Sequence, residues 1–133
     1  MGFGLERGAI ASSVCHDAHN IMVVGSRDAN GPADMAIAVR RLAELGGGQV
    51  LVHNGQVLAE VPLPVAGLMS DQPLAIVADQ LENMERASRQ FGIRIAAPFM
   101  LLSFLGLSVI PEVRITDLGL IDVDKWAPVA VAL

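Results

Sequence analysis

Two short apolar runs near the start of the chain enclose a polar cluster. Residues 10–14 and 21–24 have the length and character of buried strands. The segment between them, residues 16–20, holds two histidines, an aspartate and an asparagine, so these polar residues fall at a strand end or a turn. Polar side chains in such a place can point into a shared pocket. If the chain has chemistry of its own, we expect it in this cluster.

Two longer segments have the periodicity of amphipathic helices. The first follows the polar stretch 26–32 and is stopped by three consecutive glycines at 46–48. Asp34 lies in its first turn, where a negative charge suits the helix dipole. The second helix follows Ser70 or Asp71, either of which can cap it. The predicted buried stripe of the first helix is Met35, Ala38, Val39, Leu42 and Leu45, and that of the second is Leu74, Val77, Leu81, Met84, Ser88 and Phe91.

A hairpin is the clearest local prediction. Residues 50–53 and 56–61 flank Asn54 and Gly55, and this pair favours a type I′ turn because both central residues need positive φ. Residues 66–71 then form a loop that is unusually apolar for an exposed connection. We expect that loop to be packed against another part of the protein.

The remaining elements complete the predicted architecture. Residues 98–107 predict a short buried helix, with a strand as the alternative, and residues 113–116 and 120–123 predict two closing strands. Strands on both sides of two amphipathic helices indicate a layered α/β domain. The hairpin makes the sheet mixed rather than purely parallel. We therefore expect one domain over residues 1–133, with a mixed β-sheet flanked by amphipathic helices.

The composition narrows the classes of partner. Hydrophobic residues make up 53% of the chain and charged residues 17%, below the roughly 25% of soluble domains, so part of the surface is expected to be hidden against another domain or subunit. The formal net charge is −5 with no basic stripe, which argues against nucleic acid. The apolar run 96–110 is interrupted by Pro98 and is shorter than the roughly 20 residues of a membrane span. No leader peptide is apparent, and a single cysteine allows no intramolecular disulfide, so we expect a cytoplasmic protein.

The polar cluster admits several chemical interpretations. His16, Asp17 and His19 carry ligand types for zinc, manganese or iron, but no fourth ligand is obvious, since His53 is expected to face solvent. A nucleophile set of Cys15, His16 and Asp17 is disfavoured, because consecutive side chains diverge and Cys15 suits a buried apolar position. Two interpretations stay open. The histidines hold a turn together through backbone hydrogen bonds, or they line an active site or an interface.

Several segments in order along the chain resemble one known family. Residues 2–21, 46–48, 63–70, 98–105 and 116–123 resemble the C-terminal domain of bacterial adenine deaminase. The resemblance spans nearly the whole chain, and its several motifs make it specific. It departs from the family's expected pattern at Cys15, where alanine or another small residue is expected.

The resemblance implies an enzyme of the amidohydrolase superfamily, which converts adenine and water to hypoxanthine and ammonia. In that family the metals, manganese or iron, lie in a separate β/α barrel whose ligands include a His-x-His pair. No His-x-His occurs in this chain, and its three histidines are too few for the set. The chain therefore resembles the C-terminal domain without its catalytic barrel, and we expect it alone to bind no cofactor and to hold no catalytic residues.

The resemblance also implies partners. We expect the chain to pack on the amidohydrolase barrel, to form homo-oligomers, and to serve an enzyme whose substrate is adenine. His16, Asp17, His19 and Asn20 are the candidates for a substrate pocket or an interface. Two alternatives stay open: a non-catalytic module for oligomerisation or binding, and a small stand-alone metal-dependent hydrolase.

Overall fold

A computed structural model describes residues 2–15 and 17–130 of the chain, so His16 lies outside the described residues. Ten elements follow one another along these residues. They are β1 (Ala9–Ser12), β2 (Met22–Gly25), α1 (Gly31–Leu45), β3 (Gly48–His53), β4 (Gln56–Pro62), α2 (Leu74–Gln90), α3 (Pro98–Phe104), β5 (Val113–Thr116), β6 (Gly119–Asp122) and β7 (Ala127–Pro128).

The strands form two sheets, and the predicted layered α/β class is confirmed. The main sheet has the order β2-β1-β3-β4, and the small sheet has the order β5-β6-β7. Every strand pair within the described ranges is antiparallel, which corrects the expected mixed sheet. The physical reason lies in the connections. Helix α1 does join two strands that run in the same direction, β2 and β3, but β1 lies between them, so they are not neighbours.

The two faces of the main sheet are covered by different helices. Ile10, Leu51 and Val61 point to one face, where they pack with Met84 of α2 and Leu102 of α3. Because side chains alternate along a strand, the neighbouring residues point to the other face. There the cluster is Ala11, Ala38, Leu42, Val50 and Val52, of which Ala38 and Leu42 belong to α1.

The covering is uneven along the sheet. All four residues of β1 are buried, as the sequence predicts. Strand β2, which was also predicted to be buried, lies at the sheet edge and is mostly half-buried. Helix α3 confirms the predicted short helix, but only one side of it is buried, because Met100 and Leu101 are exposed. No helix in the described part of the chain has both the length and the apolar character that crossing a membrane requires.

Helix α2 departs from the sequence prediction in two ways. Its predicted stripe is buried only in the second half, at Met84, Ser88 and Phe91, whereas Leu74 is 85% exposed. The predicted cap is also wrong, since α2 begins after Pro73 without a side-chain cap. The hydroxyl of Ser70 accepts a hydrogen bond from the backbone N–H of Gln72 instead, at 3.2 Å.

The hairpin is confirmed, and a buried carboxylate fixes it to α1. Asn54 and Gly55 have φ of 50° and 78°, as a type I′ turn requires. Asp34 is only 1% exposed. Its carboxylate accepts hydrogen bonds from the backbone N–H groups of Asn54 at 3.0 Å and Gly55 at 2.8 Å. From its position in the sequence Asp34 is expected only to interact with the helix dipole, because the partners of its carboxylate lie far along the chain.

A bidentate ion pair also joins α1 to β4. The guanidinium of Arg41 in α1 donates to both carboxylate oxygens of Glu60 in β4, at 2.8 and 2.9 Å. This contact lowers the pKa of the Glu60 carboxyl, because the hydrogen bond from Arg41 favours the charged form. Edge strand β4 is thus held to α1 through side chains as well as to β3 through the backbone.

Replacing Asp34 tests the link between α1 and the hairpin. We expect Asp34→Ala to lower the free energy of unfolding by about 2 kcal/mol, because two charge-assisted hydrogen bonds are lost. Asp79→Ala is the matched control, since Asp79 is an exposed aspartate on α2, and we expect it to change stability by less than about 0.5 kcal/mol. Urea unfolding monitored by circular dichroism measures both. Equal losses for the two variants would contradict the assigned role of Asp34.

Candidate functional site

The hydroxyl of Ser13 anchors the polar cluster directly after β1. It donates a hydrogen bond to the carbonyl oxygen of Gly67 at 2.7 Å and accepts one from the N–H of Gly48, also at 2.7 Å. The backbone N–H of Ser13 donates to the carbonyl of Gly48 at 3.0 Å. Ser13 therefore ties three separate segments of the chain together.

Glycine is required opposite Ser13 because the backbone segments approach each other closely there. A Cβ on Gly47 would lie 2.4 Å from Cα of Gly67 and 2.9 Å from Oγ of Ser13. The φ of Gly47 is 118°, a conformation that other residues rarely adopt. The three glycines at 46–48 are predicted to stop a helix, and the first of them, Gly46, does end α1 in the left-handed conformation. The sequence gives one indication of the close approach at Gly47, because three glycines stand where a helix stop needs only one.

The apolar loop expected to be packed is packed at its centre. Gly67 is buried against Ser13 and Gly47, while Val65 and Met69 on either side of it are exposed. Val65 and Met69 exchange backbone hydrogen bonds, which closes the loop on itself. The loop thus has a fixed shape and presents apolar side chains outward.

Cys15 fastens the next part of the segment to the core. It is 2% exposed, and its thiol lies 3.9 Å from the carbonyl oxygen of Ser103 at the end of α3. Its predicted role as a small buried residue is confirmed. A thiol in this position is shielded from solvent, which further disfavours a nucleophilic role.

The predicted turn follows Cys15. The backbone N–H of His19 donates to the carbonyl of Cys15 at 2.7 Å, and His19 has a φ of 53°. Positive φ is uncommon for a residue other than glycine and concentrates at functional sites. Asp17 and His19 are exposed, and Asn20 is half-buried. Because His16 lies outside the described residues, the convergence of His16, Asp17 and His19 stays a prediction.

Antiparallel pairing brings these features to one end of the main sheet. Ser12 of β1 pairs with Gln49 of β3, and Gly48 pairs with Pro62 of β4. The segments that follow or precede these residues must therefore meet at the same end. We call this the loop end and define it as residues 13–15, 17–21, 46–48 and 63–70. It presents an imidazole, a carboxylate and several apolar side chains on a rigid base.

His53 lies at the opposite end of the sheet. The prediction that it faces solvent is wrong. It is half-buried, and its ring centroid lies 5.1 Å from that of Phe91. The guanidinium of Arg7 lies 5.2 Å from the centre of the same ring. His53 closes β3 beside the hairpin turn, so it cannot join the residues of the loop end.

The described residues do not fit the manganese or iron that the resemblance implies. Over residues 2–15 and 17–130, no group of three or more His, Cys, Asp or Glu side chains is placed to hold a metal ion. Catalytic metal sites usually take three protein ligands. A metal for this chemistry would therefore need ligands from outside these residues.

Comparisons with known proteins identify one family. The sequence profile of the family described as the adenine deaminase C-terminal domain matches residues 1–127. A curated adenine deaminase of Brucella anthropi is 53% identical over 126 residues, which cover 95% of this chain and 22% of the relative. The adenine deaminase of Dehalococcoides mccartyi is 53% identical over 94% of this chain and 21% of its own length. That of Methylobacterium nodulans is 54% identical over 93% of this chain and 21% of its own length. The chain thus spans about a fifth of the length of these relatives.

Two neighbouring glycines provide a matched test of the loop end. We expect Gly46→Ala to cost about 1 kcal/mol of stability, the usual penalty of positive φ, because its Cβ would meet Pro64 at an ordinary 3.7 Å. Gly47→Ala adds a clash with Gly67, so we expect a loss of about 3 kcal/mol or more. Chemical unfolding of both variants measures the difference. Equal costs would show that close approach does not constrain Gly47.

Proposed function

The chain belongs to the family of adenine deaminase C-terminal domains, and from this premise we propose that it is the accessory domain of an adenine deaminase. The complete enzyme would convert adenine and water to hypoxanthine and ammonia. The observation that carries the proposal is the family match over residues 1–127, together with curated relatives named adenine deaminase. The relatives are about five times longer than the matched region, so the chain would supply one part of a larger hydrolase.

The catalytic step is assigned to the rest of that hydrolase. Replacing the amino group of adenine by oxygen requires an activated water that attacks the ring carbon, a proton for the ring nitrogen that takes up the electron pair, and a proton for the departing ammonia. The described residues offer no ligand set for a metal that would do this. The finer expectations of manganese or iron, self-association and a cytoplasmic location are part of the same proposal.

The loop end is the part of the domain that we assign to the substrate pocket of the complete enzyme. Its exposed Asp17 and His19 are polar groups that can exchange hydrogen bonds with a purine, whose edge carries both N–H donors and ring-nitrogen acceptors. The base beneath them is fixed by the hydroxyl of Ser13 and the buried thiol of Cys15. A fixed base suits a group that must orient a substrate, because orientation fails when the supporting residues move.

One alternative function has its own supporting observation. The domain exposes many large apolar side chains, including Met69, Leu74 and Met100, as a non-catalytic assembly module would. Such a module would contribute contacts to the complete enzyme and leave the substrate to other residues. Substitution of an exposed polar residue at the loop end separates the two functions.

The chain by itself is the first test. We expect purified chain to release no ammonia from adenine, with or without added manganese or ferrous iron, because no metal-ligand group lies among the described residues. A coupled ammonia assay measures this, and a full-length relative such as the Brucella anthropi enzyme serves as the positive control. Turnover of the chain near a typical enzyme rate of roughly 10 per second would contradict an accessory role.

Substitution of His19 tests the contribution of the loop end to turnover. The protein to use is a full-length relative in which this chain replaces the matching segment. We expect His19→Asn to lower kcat by about 10²-fold, as loss of an orienting or acid–base group does. Asparagine is chosen because it tolerates positive φ, so stability should change little.

His53→Asn is the matched control, since it removes an imidazole at the opposite end of the sheet. We expect it to lower the free energy of unfolding by about 1–2 kcal/mol through lost ring packing, with kcat unchanged. Unchanged turnover in the His19 variant would favour the assembly module over a substrate-facing loop end.

A further inference from the structure

The apolar stripe of α2 runs from an uncovered half into a buried half. Leu74, Leu81 and Met84 lie on one face of the helix by their spacing. Leu74 is 85% exposed and Leu81 43%, whereas Met84 is only 1% exposed. The first two turns of the helix therefore present an apolar surface that the rest of the described chain does not cover.

Helix α3 continues this surface and forms a groove with α2. The groove has a volume of about 350 Å³. Its apolar walls come from Leu81 and Met84 of α2 and from Phe99 and Met100 of α3, and Met100 is 61% exposed. We call it the α2–α3 groove. A concave apolar surface of this kind is suited to receive protruding apolar side chains.

Gln49 adds a polar side chain to the lining of the groove, beside the apolar walls. Its amide oxygen is buried and has no hydrogen-bond donor among the residues that the structure describes. Buried acceptors are normally paired, but this oxygen is closed to solvent, so an occupant of the groove could pair with it only after the Gln49 side chain turned outward. The lining is therefore mainly apolar, with Gln49 and the Glu85 carboxylate, which is ion-paired with Arg89, as its polar members.

The uncovered half of α2 is continuous with the loop end. Helix α2 starts shortly after residues 63–70, the segment of the loop end that Ser13 holds. Because the chain runs directly from the loop end into α2, a protein segment that covers the loop end would also lie close to the first turns of this helix. In the Brucella anthropi relative the matched region is 22% of the chain, so roughly four-fifths of that protein remains to supply such a segment.

We propose that the α2–α3 groove is the principal docking surface of this domain, and that it receives apolar side chains from the catalytic part of the same polypeptide. This inference rests on the proposed function. The inserted segment carries branched aliphatic or aromatic side chains that fit the apolar walls of the groove. Leu74 and Leu81 are buried in the assembled enzyme, and the stripe of α2 is then covered along its whole length.

Hydroxyl-radical footprinting of side chains tests the proposal directly. The two samples are the purified chain and the full-length relative that carries this chain as its matching segment. We expect the labelling rates of Leu74, Leu81 and Met100 to fall at least tenfold in the full-length protein. The matched controls are Leu118 and Trp126 of the small sheet, which are 78% and 73% exposed and should label equally in both samples.

The outcomes separate this inference from the function on which it rests. An active full-length protein whose groove residues label as fast as in the isolated chain would overturn the docking surface and leave the proposed function standing. Stronger protection of Leu118 than of Leu81 would place the partner on the small sheet instead, which also overturns it. Protection of the groove combined with normal turnover of the His19 variant would support the docking surface and count against a substrate-facing loop end.

A second measurement excludes a second copy of the chain as the occupant. We expect sedimentation of the purified chain to give the same mass for the parent and for Leu81→Ser, because Leu81 is not used in self-association. In the full-length protein the same substitution should restore fast labelling at Leu74 and Met100, whereas Leu118→Ser should not. A dimer of the purified chain that Leu81→Ser dissociates would show that a second copy fills the groove and would overturn the proposal.

Discussion

The arrangement of the loop end depends on the close approach that the Ser13 hydroxyl makes to two glycines. Oγ of Ser13 is within hydrogen-bond distance of Gly48, at the start of β3, and of Gly67, in the loop after β4. The approach is possible only because Gly47 lacks a side chain, since its Cβ would overlap the backbone of Gly67. A small polar residue on one segment and glycines on the others are therefore one physical requirement. From it follow the fixed shape of the apolar loop and the base on which the exposed turn is held.

The two ends of the main sheet differ in how their side chains are placed. At the hairpin end, Asp34 accepts two backbone hydrogen bonds and Phe91 packs against His53 and Arg7. Contacts within the chain cover much of that end, although Nδ1 of His53 is buried with no hydrogen-bond partner among the described residues. At the loop end, the backbone is equally well held, but exposed polar and apolar side chains project from it. A rigid backbone with outward-facing side chains is the arrangement expected of a surface that recognises a partner or a ligand.

Local chemistry could be predicted from the sequence, whereas long-range pairing could not. Asn54 and Gly55 specified their turn because the required φ values are a property of those two residues. The partners of Asp34 are about twenty residues away, so only the fold reveals them. The antiparallel sheet was missed for a related reason. A strand, a helix and a second strand predict neighbours, and nothing local indicates that β1 inserts between them.

The polar cluster shows the same limit at the level of the site. Its turn was predictable, because residues 16–20 separate two apolar runs, and the hydrogen bond between His19 and Cys15 confirms it. Which side chains converge on a ligand depends on groups brought in from elsewhere, and the pattern of one segment does not contain that information. His53 is the clearest case. It ends a strand beside a polar turn, yet the distant Phe91 determines its surroundings.

Helix α2 connects the stability of the domain to its assembly. Periodicity predicts which face of a helix is apolar, but it does not say what covers that face. Met84 and Phe91 join the large core cluster with Ile10 and Leu51, so the second half of the helix contributes to folding. The exposed first half contributes little to that core. Leu74 and Leu81 can consequently be matched to a partner with little loss of stability, whereas Met84 and Phe99 line the proposed groove and also belong to the core.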